Sequence, residues 1–469
     1  MKTTKFFFMA ALALMTAACS KDDDLIQQPA EQPVPADEIT ITTTIGSKDD
    51  YAATRATVDI GNGGLYSHWA VGEKIAILFK VNGVDTRRDA TVKSVDANDI
   101  ATIEFTIPAS GVEEGASAEL VYPASAANDA NTGRKTNAEL LAAQDGTLTD
   151  ALDVRINTGT IQVATPGLTL TYSNFQMPFA IVKFTLNDVA GNVITASQLD
   201  IEVENGMTYT ITPESPASEM YVYLGHDGNL TKWFTATVGG KPYIAVSNGN
   251  PYSGRYYQST VRMATIGNVI ADNCRFYSNV SAATEAGATA RAMIAYLGTA
   301  PSGGTGDATC SHGLAIAMEN LTNNSSEKFS WDNSGSNNGN KTAILLCSDL
   351  NSYEGSDANL LFYGFRWRLP SVDDWKYMIA GCGGGPYTAE LSQGMYYESL
   401  NIDPSRTHLR PRVYDAGGEG LGNHSFWTSE SAGQDEYKAY AWFYSFNYQQ
   451  FKVTSQDNTN MYIRPCLAF

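Results

Sequence analysis

The sequence predicts a mostly β protein, two tandem β sandwiches followed by an α+β unit. Three observations predict it. Apolar residues alternate with polar ones at a period of two through the first half, as in Ile39, Ile41 and Ile45 or Ile103, Phe105 and Ile107. Clusters of Gly, Asn, Asp and Pro separate these runs at short intervals. From about residue 266 alanine-rich and helix-start patterns enter, and the last 50 residues carry 12 aromatics, roughly twice the 11% of the whole chain.

In chain order, Lys2 and Lys5 precede an apolar run from Phe6 to Leu14, then Ala17 and Ala18, then Cys19. This is the pattern of a signal peptide, too short to cross a bilayer. A mature protein starting at Cys19, lipidated there, is expected. Residues 20 to 37, with Pro29, Pro33 and Pro35, read as an extended tether. The first strand follows at Ile39 to Ile45; Ile75, Ile77 and Phe79 form another that ends at Asn82-Gly83, and Ile103 to Ile107 a third that ends at Pro108. Only Asn137 to Ala143 offers a helix in this part.

A second β unit is expected from about residue 165, on the alternation of Leu168, Leu170 and Tyr172, then Val182, Phe184 and Leu186, then Ile201 and Val203, with further strands at Tyr221 to Leu224 and Tyr257 to Met263. Farther on, Ala282 to Ala290 looks like a short helix feeding a buried strand. Ser371, three residues before Asp374, is placed to cap a helix whose apolar face is Trp375, Met378 and Ile379. Asn323 to Asn340 reads as a long polar loop. The expected divisions are therefore 1–18 leader, 19–37 tether, 38–164 first sandwich, 165–265 second sandwich and 266–469 α+β unit.

With 469 residues and about 150 per domain, roughly three domains are expected. The net charge of -19 argues against a nucleic-acid partner, which needs a basic patch to displace counterions. No later segment has the run of about 18 apolar residues that a membrane helix needs, so the lipids on Cys19 would be the anchor. Besides Cys19 there are Cys274, Cys310, Cys347, Cys382 and Cys466, an odd number that leaves at least one unpaired.

Around Cys19, the following Ser20-Lys21-Asp22-Asp23-Asp24 resembles exported lipoproteins of Bacteroidetes, in which an acidic stretch after the lipidated cysteine marks delivery to the cell surface. Thr16 departs from the aliphatic residue commoner at that place. The strand Ile39 to Ile45, then Thr54-Arg55-Ala56-Thr57, then Trp69-Ala70-Val71-Gly72-Glu73-Lys74-Ile75-Ala76-Ile77, resemble the fimbrillin-like family of Bacteroidetes pilus proteins. That resemblance implies a pair of transthyretin-like sandwiches and cutting between Arg55 and Ala56 by an arginine-specific protease. Loss of the first strand would open a groove for a strand of another subunit. A plain interstrand loop containing one arginine is the alternative.

His312-Gly313-Leu314-Ala315-Ile316-Ala317, Trp367-Arg368-Leu369-Pro370-Ser371 with Trp375, Phe426-Trp427-Thr428-Ser429-Glu430, Ala441-Trp442-Phe443 and Ile463 to Phe469 resemble C-terminal surface domains related to the C-type-lectin-like fold. That resemblance implies a disulfide between Cys382 and Cys466. Formylglycine-generating enzymes share the fold and a similar Trp-Arg-Leu-Pro segment, but nothing beside Cys382 or Cys466 suggests an activated thiolate, so no catalytic residue is assigned. The Glu-Pro-Asn, Gln-Pro-Asp and Trp-Asn-Asp motifs of calcium-dependent lectins do not occur; Trp331-Asp332-Asn333 is only similar in letters. No metal or cofactor is expected. His312 reads as a core or turn residue, and Trp367, Trp375, Trp427 and Trp442 as core.

Ligand contact is placed on Tyr448, Gln449 and Gln450, on a hairpin near the C-terminus. With residues beyond about 265 folded into a further domain, the sequence leaves no strand to donate. The expected role is a surface adhesin at the tip of a pilus, partnered by other subunits through strand exchange, by a glycan or protein ligand, and by the outer membrane through its lipids. The alternative is a solitary, lipid-anchored surface protein that binds glycan or protein.

Overall fold

The computed structural model describes residues 37–46, 59–61, 64–66, 68–128, 133–148, 154–171, 175–203, 207–225, 230–249, 251–299, 311–321, 328–331, 343–351, 360, 364–384, 397–399, 409–434, 439–448 and 450–469. The chain is mostly β. Among the described residues no helix is long and apolar enough to cross a membrane.

One seven-stranded antiparallel sheet runs in the order Glu38–Ile45, Ala101–Pro108, Val84–Val95, Lys74–Val81, Ala116–Tyr122, Arg155–Gln162, Gly167–Leu170. Strict alternation sends Ala101, Ile103, Phe105 and Ile107 inward, and a period of two on a twisted sheet yields one apolar face. The sheet curls until its end strands meet, and the Thr43 hydroxyl donates to the Leu168 carbonyl at 3.3 Å. Ile41, Ile45, Ile75, Ile77, Ile103, Phe105 and Leu120 fill the inside.

Within it, Trp69 packs edge-on against Tyr122 and Phe175, with centroids 5.1 and 5.5 Å away. Glu73 holds the corner that presents Trp69: its carboxylate accepts the Ala70 N–H at 2.8 Å and the Tyr122 hydroxyl at 2.5 Å. Gly72 has φ +95°, where a side chain would be strained, so the run from Trp69 to Glu73 is one turn device.

A second unit packs a three-stranded sheet, Glu219–Leu224, Ala180–Asp188 and Tyr256–Met263, on a five-stranded one, Lys241–Gly249, Leu230–Val238, Gln198–Val203, Thr208–Ile211 and Ala143–Gln144. Phe184 meets Phe234 edge-on between them at 5.2 Å. The helix Asn137–Leu141 has a capping box from Thr136 and Glu139, in the stretch that sequence marks as helical.

Chain order and sheet membership diverge near residue 165. Leu168 and Leu170 close the first sheet through a hairpin onto Arg155–Gln162, and the earlier Ala143–Gln144 pairs with Thr210–Ile211 of the second unit. Alternation fixes which face of a strand is apolar and leaves open which sheet it joins.

The last part builds two further six-stranded sheets. One is Phe276–Tyr277, Val269–Ala271, Ala290–Leu297, Gly313–Ala317, Cys466–Ala468, Arg366–Arg368; the other is Lys328–Phe329, Met461–Tyr462, Ser425–Gln434, Ala439–Ser445, Gln450–Ser455, Tyr397–Ser399. The helix Val372–Ile379 buries Trp375, Met378 and Ile379 in this unit's core, and Ser371 caps it reciprocally with Asp374. The short helix expected over Ala282 to Ala290 spans Val280–Glu285 and leads to the strand Ala290–Leu297.

Candidate functional site

The first strand is held in an unusual way. Glu38–Ile45 pairs along its whole length with Ala101–Pro108, from Glu38 opposite Pro108 to Ile45 opposite Ala101, and among the described residues on that side alone. Its other edge meets Gly167–Leu170 through the Thr43 bond. Ile41 and Ile45 are wholly buried, Ile39 and Thr43 partly, and the intervening residues face outward, largely in solvent. Withdrawal of this strand would uncover a trough lined by Ile103, Phe105, Ile107, Ile161 and Leu168, with the unpaired backbone of Ala101–Pro108 along one wall. Such a trough accepts an antiparallel strand with apolar side chains at alternate positions.

Arg55 and Ala56 lie outside the described residues, as does Cys19. Tyr448, at the tip of a hairpin, is 62% exposed, and the Lys452 ammonium sits 3.6 Å from its ring centroid. Gln449 and the Gln450 side chain, the rest of the expected contact trio, lie outside the described residues.

The disulfide expected between Cys382 and Cys466 is not formed. Both are buried free thiols, as is Cys347, and Cys274 is buried as well. Cys382 Sγ points at the Ala295 carbonyl, 3.6 Å away, whereas Cys466 Sγ lies 4.0 Å from an Asp374 carboxylate oxygen on a different wall of the core. Burial pushes the Cys382 thiol up to about 12 and the Cys466 thiol well above its ordinary range, which disfavours the thiolate of both.

The Trp-Arg-Leu-Pro-Ser run also has a structural explanation. Arg368 holds Asp374 through two bonds, 3.0 and 2.5 Å, while Asp374 accepts the Ser371 N–H and the Pro370 carbonyl accepts the Ser429 N–H. Glu430 accepts the Val372 N–H at 2.8 Å, and burial pushes its carboxyl up to about 7. Arg464 is fully buried among the carbonyls of Ala317, Met318 and Glu419, the Asn320 side chain and the Glu419 carboxylate. Trp367, Trp375 and Trp427 are buried and Trp442 half-buried.

His312, which sequence reads as a core or turn residue, joins the second unit to the last. Its Nε2 lies 2.9 Å from a Glu202 carboxylate oxygen and its Nδ1 2.9 Å from the Ser311 hydroxyl. Neither Glu202 nor Trp233, the ring beneath it, carries any local sequence signal for this contact. Among the described residues no group of three or more His, Cys, Asp or Glu is placed to hold a metal ion.

No protein-family model matches the chain and no curated protein matches it. Among solved structures it is similar to a fimbrial protein from Bacteroides ovatus, at 12% identity and TM-score 0.26, over 87% of this chain and 96% of that one. It is also similar to the shaft pilin spaA from Lactobacillus rhamnosus, at 13% identity and TM-score 0.22, over 49% of this chain and 97% of that one. A streptococcal ancillary pilin matches at 8% identity and TM-score 0.19, over 42% and 64% of the two chains. Likenesses this distant carry no argument about what the chain does.

Proposed function

We propose that the chain is a cell-surface adhesin subunit that accepts a strand from another subunit in place of its own first strand. The observation that carries this reading is the attachment of Glu38–Ile45: among the described residues it has one ladder, two fully buried isoleucines, and one side-chain bond at the far edge. Cutting between Arg55 and Ala56 would sever that strand from the sheet it completes, and an incoming strand with the same alternation would restore the core. Lipidation at Cys19 would deliver the uncut protein to the outer membrane. The fimbrillin-like pattern of residues 39–77 supports the same reading.

A place at the tip of a fibre is the finer part of the proposal. Cys466–Ala468 is an interior strand of its sheet, paired with Gly313–Ala317 on one side and Arg366–Arg368 on the other, so it is committed within its own unit. The last unit would then carry the ligand contact, for a glycan or protein of host or bacterial origin, with Tyr448, Gln449 and Gln450 as the proposed residues.

The test is the mass and N-terminus of the protein recovered from cells. A species starting at Ala56 in fibres, and its loss together with loss of fibre assembly in Arg55→Ala, supports the proposal. Protein starting only at a lipidated Cys19 supports a solitary surface lipoprotein instead. A glycan array on the purified protein, with and without chelator, tests the ligand.

A further inference from the structure

We propose that Ser311, His312 and Glu202 form a nucleophile, base and carboxylate triad that hydrolyses small carboxylic esters in the cleft where the second unit meets the last. It draws on neither the first strand nor strand exchange and is separate from the trough described above.

The three side chains come from two units and meet at one ring. The His312 imidazole lies between the Ser311 hydroxyl, 2.9 Å from Nδ1, and a Glu202 carboxylate oxygen, 2.9 Å from Nε2. A carboxylate only accepts, so Nε2 carries the ring proton and Nδ1 is left to accept from the hydroxyl. That is the tautomer a serine nucleophile needs from its base. Burial holds the imidazole below the ordinary histidine range, which keeps it neutral and able to take a proton at pH 7. Backbone bonds fix its place: the His312 N–H donates to the Phe469 carbonyl and the His312 carbonyl accepts the Gly298 N–H, each at 2.8 Å. Trp233 covers one face of the ring. The base is thus buried and held, while the Ser311 nucleophile is exposed.

Ser311 and His312 both line a cleft of about 280 Å3, with Asp200, Thr235, Thr237 and Leu297 among its other walls. That is at the lower limit, about 300 Å3, of small-molecule pockets, so the cleft suits a short acyl group and not a long chain. Leu297 supplies an apolar wall for it, and the threonine hydroxyls supply polar contacts for the alcohol. The negative oxygen that develops on an attacked carbonyl needs a donor. Thr299 offers one beside the nucleophile, since its hydroxyl now makes only a long bond, 3.4 Å, to the Ser311 carbonyl. In the first step Ser311 Oγ attacks the ester carbonyl carbon as its proton passes to His312 Nδ1; the C–O bond to the alcohol breaks and the alcohol leaves with that proton. Water then attacks the acyl-Ser311 carbonyl and gives its proton to Nδ1. The bond from Oγ to the acyl carbon breaks, Oγ takes the proton back, and the carboxylic acid is released.

A fluorophosphonate probe, which adds to activated serines, and p-nitrophenyl acetate test this on the full chain. The probe should add to Ser311, located by peptide mass, and each chain should release p-nitrophenol repeatedly. Ser311→Ala, a change at an exposed position, should abolish both, and His312→Gln should slow both by about a hundredfold. Glu202 acts through His312 as a positioning residue, so its test is the pH profile. Glu202→Gln takes away the charge that favours the imidazolium, and the midpoint of the rise in rate with pH should move to lower pH. Asp200, the other carboxylate at the cleft, stays in place in that variant, held by the Gln198 amide at 2.7 Å. If His312→Gln lowers the melting temperature, Ser311→Ala and the pH profile decide. No adduct on Ser311, a single burst of p-nitrophenol without turnover, turnover that survives Ser311→Ala, or a pH midpoint unmoved in Glu202→Gln overturns the proposal.

Discussion

Trp233 and His312 lie ring on ring, 4.5 Å apart and 17° from parallel, although one belongs to the second unit and the other to the last. The same indole meets Phe365 at 5.4 Å and Phe469 at 5.9 Å, so one side chain knits the two units together. Trp233→Ala should remove all three ring contacts and lower stability by about 3 kcal/mol. Chemical denaturation should then split into two transitions, since the units would lose their common support; a single unshifted transition would contradict this.

Stability should also respond to pH through His312. Burial holds its imidazole below the ordinary histidine range, with the Glu202 carboxylate working in the opposite direction. The unfolded chain therefore takes up the proton first, and the contribution of this residue, present above the ordinary histidine pKa, is lost as pH falls through the ordinary value toward the depressed one. Glu202→Gln removes the opposing charge and should steepen the loss between pH 7 and 5, by urea midpoints. His312→Gln should flatten it.

Glu430 works in the opposite sense. Its carboxyl, pushed up to about 7 mainly by burial, binds a proton more readily folded than unfolded. Its stability contribution is present below the ordinary carboxylate range and is lost as pH rises toward 7. Glu430→Gln keeps an oxygen to accept the Val372 N–H and removes the charge. It should gain on the order of 1–2 kcal/mol at pH 8 and almost nothing at pH 4. Equal gains at both pH values would show that charge is not the cause.

Thr43 and Ile41 divide the hold on the first strand into two parts. Ile41→Ala should cost about 3 kcal/mol through the cavity it leaves. Thr43→Val keeps the shape and removes the bond to Leu168, a loss of about 1 kcal/mol. Hydrogen exchange of the Ala101–Pro108 amides should quicken in both variants, and if it does not, the strand is held by something else.

Cys347, Cys382 and Cys466 should stay free. Maleimide should leave Cys347, Cys382 and Cys466 unmodified in the native protein and label them after unfolding, read by peptide mass. Reductant should leave the melting temperature unchanged, the opposite of what a Cys382–Cys466 bond would give.

The alternation in Ile103, Phe105 and Ile107 gives the inner face of a strand, because side-chain direction follows backbone pleat alone. Ser371 and Asp374 give a helix start, because the cap closes within one turn. Tryptophans such as Trp375 and Trp427 were legible as core from their size and apolar character. Whether Leu168 joined the first or second sheet was not legible, since both choices bury the same face.

By itself the sequence determined the mostly β class, the phase of each strand and the capped helix, all set by interactions within a few residues. Tertiary structure alone decided that Thr43 meets Leu168, that His312 meets Glu202 and Trp233, and that Cys382 and Cys466 face different neighbours. These depend on how the twisted sheets curl and which elements then share a core. Such pairings bring together residues far apart in the chain, on which a local pattern exerts no constraint.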